Sequence, residues 1–445
     1  MNRMSIVPVV AGAQIASSFY DTALLMVVRN HYNKSINSQE SPSNSSNDDM
    51  LQKAISNFYI IYNVIMGLTP LLSAYTIAKI GDKTSRKVTI CVPLFGYLIS
   101  RMFLLFVIIW DWPVEVMFGS AALNGLTGWF TTYWAGVAAW ASLCSSETRR
   151  SLRLIHIELV YGLAGFVGSL ASGHLFVILH ITSHQGTILM ICSMVCYALC
   201  VIYCIFILRT PEEHDNTEST RLLKESRNTT IQGNEIENLV IESTSNLILT
   251  SMFVSAIVFN VAFTATDDVA NVFVLKKPLN WGPVDVGYGN AAFYMTYITS
   301  FLGVFIFSRF TGDLGMISIG ILSFGSGLLI MGFVRSTYMY YIARVVMIFS
   351  LIPTPTIRSV ISKHIQGSSY GKVFAVLQLA IEIVAVSSSA GFNKLYQATL
   401  DWFSGFCFIL FGALAFISII PISIVAYYEW SRRVQQNIVV VSDPQ

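Results

Sequence analysis

Apolar residues run through this chain in long blocks, broken at intervals by short polar stretches. The blocks fall at about 5–29, 55–79, 88–110, 114–142, 153–180, 186–208, 247–272, 285–308, 315–335, 338–362, 371–396 and 402–428. Each is long enough to cross a bilayer as a helix, which takes about 20 apolar residues. The pattern predicts an all-α polytopic membrane protein of twelve transmembrane helices. A β-barrel would need alternating segments of about ten residues, and the sequence has none of that rhythm. The first block, Ile6 to Val28, is too long for a signal core and reads as a first span.

Two polar stretches interrupt the blocks. One is the loop at 30–54. The other is 209–246, which holds no Phe, Tyr or Trp and reads as a disordered or partly helical linker. The linker divides the spans six and six, as in transporters built from two parallel halves. The expected organisation is a six-helix half over 1–208, a cytoplasmic linker over 209–246, a second six-helix half over 247–428 and a cytoplasmic tail over 429–445.

Charge sets the orientation. Seventeen Lys and Arg residues lie at one set of span ends, the N-terminal set, and seven at the other. Basic residues concentrate on the cytoplasmic side, so both termini are expected inside. Asn33 and Asn44 then lie in sequons outside and are expected to be N-glycosylated. Asn228 falls inside, where its sequon should stay unmodified.

Composition narrows the function classes. The chain is 54% hydrophobic and 12% charged, with a net charge of +2. That balance gives no reason to expect nucleic acid as a partner. Of seven cysteines, Cys192, Cys196, Cys200 and Cys204 recur every four residues. On a helix they form one stripe for packing or lipid contact, with no C-x-x-C pair to suggest a metal. No cysteine falls in an outer loop, so no external disulfide is expected. No nucleophile triad, metal cluster or nucleotide loop points to an enzyme. No catalytic or metal site and no cofactor is expected.

AKIGDKTSRK (78–87) joins the second and third spans. It resembles the major facilitator superfamily loop G-x-x-x-D-R-x-G-R-[RK], with Asp82, Arg86 and Lys87 in place and Ala78, Lys83 and Ser85 departing from it. Such a loop acts as a charge latch between helix ends. Ordinary cytoplasmic positive charge is the plainer reading.

Ionisable residues at membrane depth are costly and face a cavity or a partner. Asp21, Arg101, Glu158, Arg344, Arg358 and Glu382 fall within spans, with His156, His174, Asp267 and Asp268 nearer the ends. His156 and Glu158 sit two residues apart, so they point about 200° away from each other. The Glu158 face continues through Tyr161, Gly162, Gly165, Gly168, Ser169 and Ser172, and is expected to pack inward. The His156 face continues through Val160, Leu163, Val167 and Leu170, and suits lipid or core. Glu158 is either a proton carrier or a buried structural acid. Arg358 follows Pro353-Thr-Pro355, where the tenth span should break. A guanidinium there suits a substrate carboxylate or phosphate. Asp21 and Asp268 are candidates for cation binding, proton transfer or a gate, with one of Asp267 and Asp268 facing the cavity. Trp129 and Trp134 are candidates to stack on a substrate ring, although packing is the commoner role of such residues. Glu382 reads as a packing partner.

The stretches 55–75, 111–126, 287–309, 356–363 and 367–379 resemble solute carrier family 46, over nearly the whole chain except the two polar loops and the tail. That family includes a proton-coupled folate transporter. There a fifth-span glutamate in the pattern E-x-x-x-G-x-A-G serves proton coupling, and Glu158, Gly162, Ala164 and Gly165 match it. A tenth-span arginine of that relative, tied to substrate and proton binding, corresponds to Arg358. Its seventh-span histidine is replaced here by Asp267 and Asp268, and its external cysteine pair is missing, so folate is not assumed. The branch most similar to this chain implies proton-coupled import of bacterial muropeptides containing diaminopimelate, with cyclic dinucleotides and antifolates as further cargo. The resemblance therefore implies a symporter for a small anionic or zwitterionic substrate, with the proton as coupling ion, using Glu158 for coupling and Arg358 for cargo. An uncoupled carrier, or a non-transporting receptor, is the alternative. A monomer in the plasma membrane is expected. Leu222 and Leu223 complete an acidic dileucine pattern that would recruit a sorting adaptor and place some protein in endosomes.

Overall fold

The fold was analysed in a computed structural model. It describes residues 6–38, 44–83, 85, 87–143, 150–178, 185–208, 235–364 and 370–442. The described residues form fifteen α-helices: α1 (Val7–Ser38), α2 (Asn44–Lys83), α3 (Val88–Ile109), α4 (Val116–Leu126), α5 (Trp129–Leu143), α6 (Arg150–Ile178), α7 (Thr187–Ile202), α8 (Glu235–Phe273), α9 (Pro283–Phe307), α10 (Asp313–Gly332), α11 (Thr337–Val346), α12 (Pro353–His364), α13 (Tyr370–Thr399), α14 (Phe406–Ile417) and α15 (Ile419–Ser442). A π-helical turn, Tyr203–Ile207, extends α7. The described residues thus make twelve helical passes, with the fourth split into α4 and α5, the tenth into α11 and α12, and the twelfth interrupted only at Ser418 between α14 and α15.

Eight passes are unbroken and apolar enough to span a bilayer on their own terms. The other four are the first, fourth, tenth and eleventh. Two of these are split, and α1 and α13 carry polar residues such as Gln14, Asp21, Gln378 and Glu382 along their length. Polar side chains inside a span need protein or water around them.

The fourth pass, expected to be continuous, breaks at Thr127–Gly128. Gly128 has φ +91°, the left-handed conformation that ends a helix at a glycine. Trp129 follows at φ +42°. A bulky residue there is strained, and such strain gathers at functional sites.

The tenth pass breaks one turn earlier than the prolines suggested, across Met347–Ile352. Pro353 begins α12 instead of interrupting a helix, because a proline lacks the N–H that a first helical residue does not need. The freed backbone groups find partners on neighbouring passes. Thr299 and Ser300 donate to the Ile348 carbonyl (2.6 and 3.2 Å), Ser323 donates to that of Val346 (2.6 Å), and the Leu351 amide donates to Ser300 (3.2 Å). Irregular backbone at membrane depth persists only where protein or water satisfies it.

The polar stretch at 30–54 is helical over 30–38 and 44–54, as continuations of α1 and α2. Asn33 is exposed near the end of α1; Asn44 starts α2, and its side chain lies outside the described residues. So do the side chains of Asp82 and Arg86, the dileucine pair Leu222 and Leu223, and Asn228.

The small-residue face of α6 packs as its sequence implies. A Cβ on Gly162 would lie 2.6 Å from Tyr297 Cβ, and one on Gly165 would lie 2.4 Å from the Tyr294 ring. Helices α6 and α9 are thereby drawn together across the two halves. Nearby, Thr22 of α1 and Ser172 share a hydrogen bond of 2.8 Å. Leu163 and Val167, on the His156 face, are about half exposed (45% and 55%). Of the cysteine stripe, Cys200 and Cys204 are buried, with Cys200 donating to the Val9 carbonyl, while Cys192 and Cys196 are half-buried.

Candidate functional site

At the end of the bundle that carries the 30–54 stretch, the two halves are tied together by charge. Arg29 of α1 donates to the Trp281 carbonyl (2.7 Å) and to Asn280 Oδ1 (2.6 Å). Lys276 pairs with Asp49 at 2.9 Å and Lys277 with Asp48 at 2.8 Å. Lys276 is only 15% exposed and also donates to the Leu400 carbonyl at 2.9 Å. Lys277 is 65% exposed, and an ion pair that open contributes little. Beside this layer, Tyr32 donates to Glu115 (3.1 Å). Burial, and then the Glu115 carboxylate, push the Tyr32 hydroxyl well above the usual phenol range, so it stays a donor.

One layer deeper, Asp268 of α8 accepts hydrogen bonds from Asn63 of α2 (3.1 Å) and from Ser389 of α13. This acid is therefore built into a contact across the halves. Its neighbour Asp267 is the more exposed of the two, and both line the cavity below, where at most one was expected to.

That cavity holds about 420 Å³ and lies between the halves. The volume falls in the range of small-molecule sites, about 300–1,000 Å³. Helix α1 contributes Asp21, whose side chain opens into the space, and α5 contributes Trp129 just after the strained turn. Tyrosines form much of the wall: Tyr59 and Tyr62 from α2, Tyr97 from α3, Tyr133 from α5, Tyr161 from α6, Tyr197 from α7 and Tyr294 from α9. Arg101 of α3 supplies the cation, with its side chain 2% exposed. Tyrosine usually marks the membrane interface, so rings at mid-span are the sequence signal that an aromatic site lies there. The sequence reading recorded Arg101 as an ionisable residue at depth and gave it no role.

Two expectations for the wall are corrected. Arg358 of the tenth pass was expected to meet the cargo. Among the described lining residues none comes from α11 or α12. Trp134 also stands off the cavity, since it stacks on Phe130 (centroids 5.5 Å apart) and meets Tyr161 edge-on (5.2 Å).

Glu158 and Arg358 lie outside the cavity wall, on the two halves toward the opposite end, and both are exposed, so the inward packing expected of Glu158 holds only for the glycines beyond it on α6. Arg358 donates to Gln378 (2.8 Å), which donates to Glu382 (2.8 Å). Glu158 and Arg358 act on each other electrostatically, and among the described residues no direct ion pair joins them. One end of the bundle is thus closed by direct bonds between halves, while the opposing charges at the other stand apart. Of the loop latch, Lys87 is described; it donates to the Ile205 carbonyl (3.3 Å) at the π-helical end of the sixth pass. A cation at a helix C-terminus is favourably placed.

Comparison with known proteins bears on this arrangement. Residues 11–313 match the family model Major Facilitator Superfamily. Solute carrier family 46 member 2 of Canis lupus familiaris is 47% identical, with 96% of this chain and 94% of that protein covered. The lysosomal proton-coupled steroid conjugate and bile acid symporter SLC46A3 of Gallus gallus is 29% identical, with 84% and 81% covered. Among solved structures, the human organic anion transporter MFSD10 (TETRAN) superposes with TM-score 0.62 at 12% identity, covering 94% of this chain and 97% of that one. The inward-open xylose transporter XylE from E. coli gives 0.62 at 11%, with 94% of each chain covered. A split bundle of twelve passes around a central cavity, matched along nearly its whole length by these relatives, places this chain in solute carrier family 46 of the major facilitator superfamily, as a multi-pass membrane transporter.

Proposed function

We propose that this transporter is a proton symporter that imports anionic or zwitterionic organic solutes into the cytosol by alternating access. The observation that carries the reading is the tyrosine-walled cavity between the halves, with Arg101, Asp21 and Asp267 on its surface. Aromatic faces suit the rigid body of an organic solute, and a guanidinium suits its oxyanion. Acids at membrane depth suit proton transfer. With the termini inside, the tied end faces outward and the cavity opens toward the cytosol.

Glu158 is the proton-coupling residue of this reading. It stands exposed at the end of the glycine face of α6, across from Arg358 of the other half. Protonation would remove one charge of that facing pair and so shift the balance between open and closed states. Arg358 and Asp268 then act on conformation, at the mouth and at the outer tie, while Asp21 and Trp129 meet the cargo. Asp82, Arg86 and Lys87 form the cytoplasmic latch. Asn33 and Asn44 carry glycans, and the dileucine pair directs some of the plasma-membrane pool to endosomes. The Gallus gallus relative is by its name a proton-coupled steroid conjugate and bile acid symporter, which supports proton coupling and a ring-bodied organic cargo. Muropeptides containing diaminopimelate are the first candidate cargo, followed by cyclic dinucleotides and antifolates.

The test is an uptake screen of those three labelled classes in cells expressing the protein, at external pH 5.5 and 7.4. At least one class should enter faster at the acid pH. Glu158→Gln should lose that acceleration, and a Glu158→Gln protein that keeps it would remove Glu158 from the mechanism.

A further inference from the structure

We propose that Arg101 is the anion-binding residue of the cavity and that Asp21 is its resident counter-ion, exchanged for an oxyanion of the cargo. The inference deepens the transporter reading and rests on it. Arg101 is held by its surroundings before any ligand arrives. Its guanidinium carbon lies 3.9 Å from the centre of the Tyr20 ring, 4.8 Å from that of Tyr197 and 5.0 Å from that of Tyr97. Tyrosine faces attract a cation and restrict its rotamers. Tyr20 is itself fixed, with its hydroxyl 3.0 Å from that of Tyr62 and 3.3 Å from Ser100 Oγ.

The rings leave the donors of Arg101 mostly unused. A guanidinium carries five N–H donors. Here Nη2 makes one long hydrogen bond, 3.4 Å to the Tyr197 hydroxyl, and the buried Nε has no partner. Among the described residues no carboxylate makes an ion pair with it, although Asp21 lines the same cavity and the two opposite charges attract. A buried cation with unspent donors is costly unless something pairs with it. A carboxylate or phosphate entering the cavity would meet that need in a geometry to which a planar fork is suited. Asp21 balances the charge while the site is empty and yields when a stronger partner arrives. Recognition is thereby placed in the N-terminal half, on α1 and α3, rather than on the tenth pass.

The purified protein in nanodiscs tests this without any transport step. The probes are a diaminopimelate-containing muramyl tripeptide, its fully amidated form, and a cyclic dinucleotide as the phosphate arm. Binding is read by thermal stabilisation and by quenching of tryptophan fluorescence. The wild type should bind a charged probe and reject the amide. Arg101→Gln should weaken that binding about ten-fold or more, the loss of one charge-assisted contact. Arg101→Lys should recover part of it. Asp21→Asn leaves the arginine and its tyrosines in place, so it is informative even if Arg101→Gln folds poorly; it should tighten anion binding several-fold. Equal binding of the amide, undiminished binding by Arg101→Gln, or unchanged or weaker binding by Asp21→Asn would overturn the proposal. Failure of the transporter reading has a different signature, namely wild-type uptake that is absent at every pH although the anions bind.

Discussion

Glu158 and His156 are two residues apart on α6, and both are exposed, on different sides of the helix. Helix geometry alone separates them, and the glycines that follow on the Glu158 side mark the face that packs against α9. Where Gly162 and Gly165 stand, the Tyr297 and Tyr294 side chains approach closer than a methyl group allows. Gly165→Val should therefore overpack the α6–α9 contact. The expected cost is about 1–3 kcal/mol, seen as a lower melting temperature in detergent. Leu163→Val, on the half-exposed face, should leave melting nearly unchanged. Equal effects of the two would mean that α6 presents a different face to its neighbour. This much was legible in the sequence, because a period of 3.6 residues and a run of small side chains need no tertiary information. The pairing of Arg101 with tyrosines from α1, α3 and α7 was not. Each residue was visible in its own span, but their meeting depends on how three helices pack.

Among the helices, the broken passes carry the instruction. Prolines at 353 and 355 announced a break, yet the polypeptide unwinds before them and uses Pro353 to restart the helix. The fourth pass breaks at Gly128, which sequence alone did not distinguish from other glycines within spans. What stabilises the gap in the tenth pass is borrowed from elsewhere. Ser323 of α10 donates to the Val346 carbonyl and accepts from the Phe349 amide (3.3 Å), so one hydroxyl serves two backbone groups. Ser323→Ala would leave both without that partner, at about 1–3 kcal/mol. Ser326 bonds only to Leu322 within its own helix. Ser326→Ala should therefore shift the melting temperature far less, and a comparison of the two variants by thermal unfolding checks it. Similar shifts would mean that water, not Ser323, satisfies the gap.

For the molecule as a whole, the two halves are tied at one end and apart at the other. Arg29, Lys276 and the Asp268 contacts close the end beyond the cavity. At the opposite mouth Glu158 and Arg358 act on each other without touching. The twelve passes and their six-and-six division could be read from hydropathy, since membrane thickness fixes the length of each block. Which end is closed could not, because it depends on bonds between residues of the two halves that are 205 to 252 positions apart. A coupled carrier needs the state of one end to depend on protonation, and the account places that dependence at Glu158. The direct measurement is proton flux in proteoliposomes that start with no pH gradient and contain a pH-sensitive dye. Addition of a charged muramyl tripeptide outside should acidify the lumen, and Glu158→Gln vesicles should take up cargo without acidification or not at all. Wild-type vesicles that accumulate labelled cargo with no change in lumenal pH would contradict proton symport.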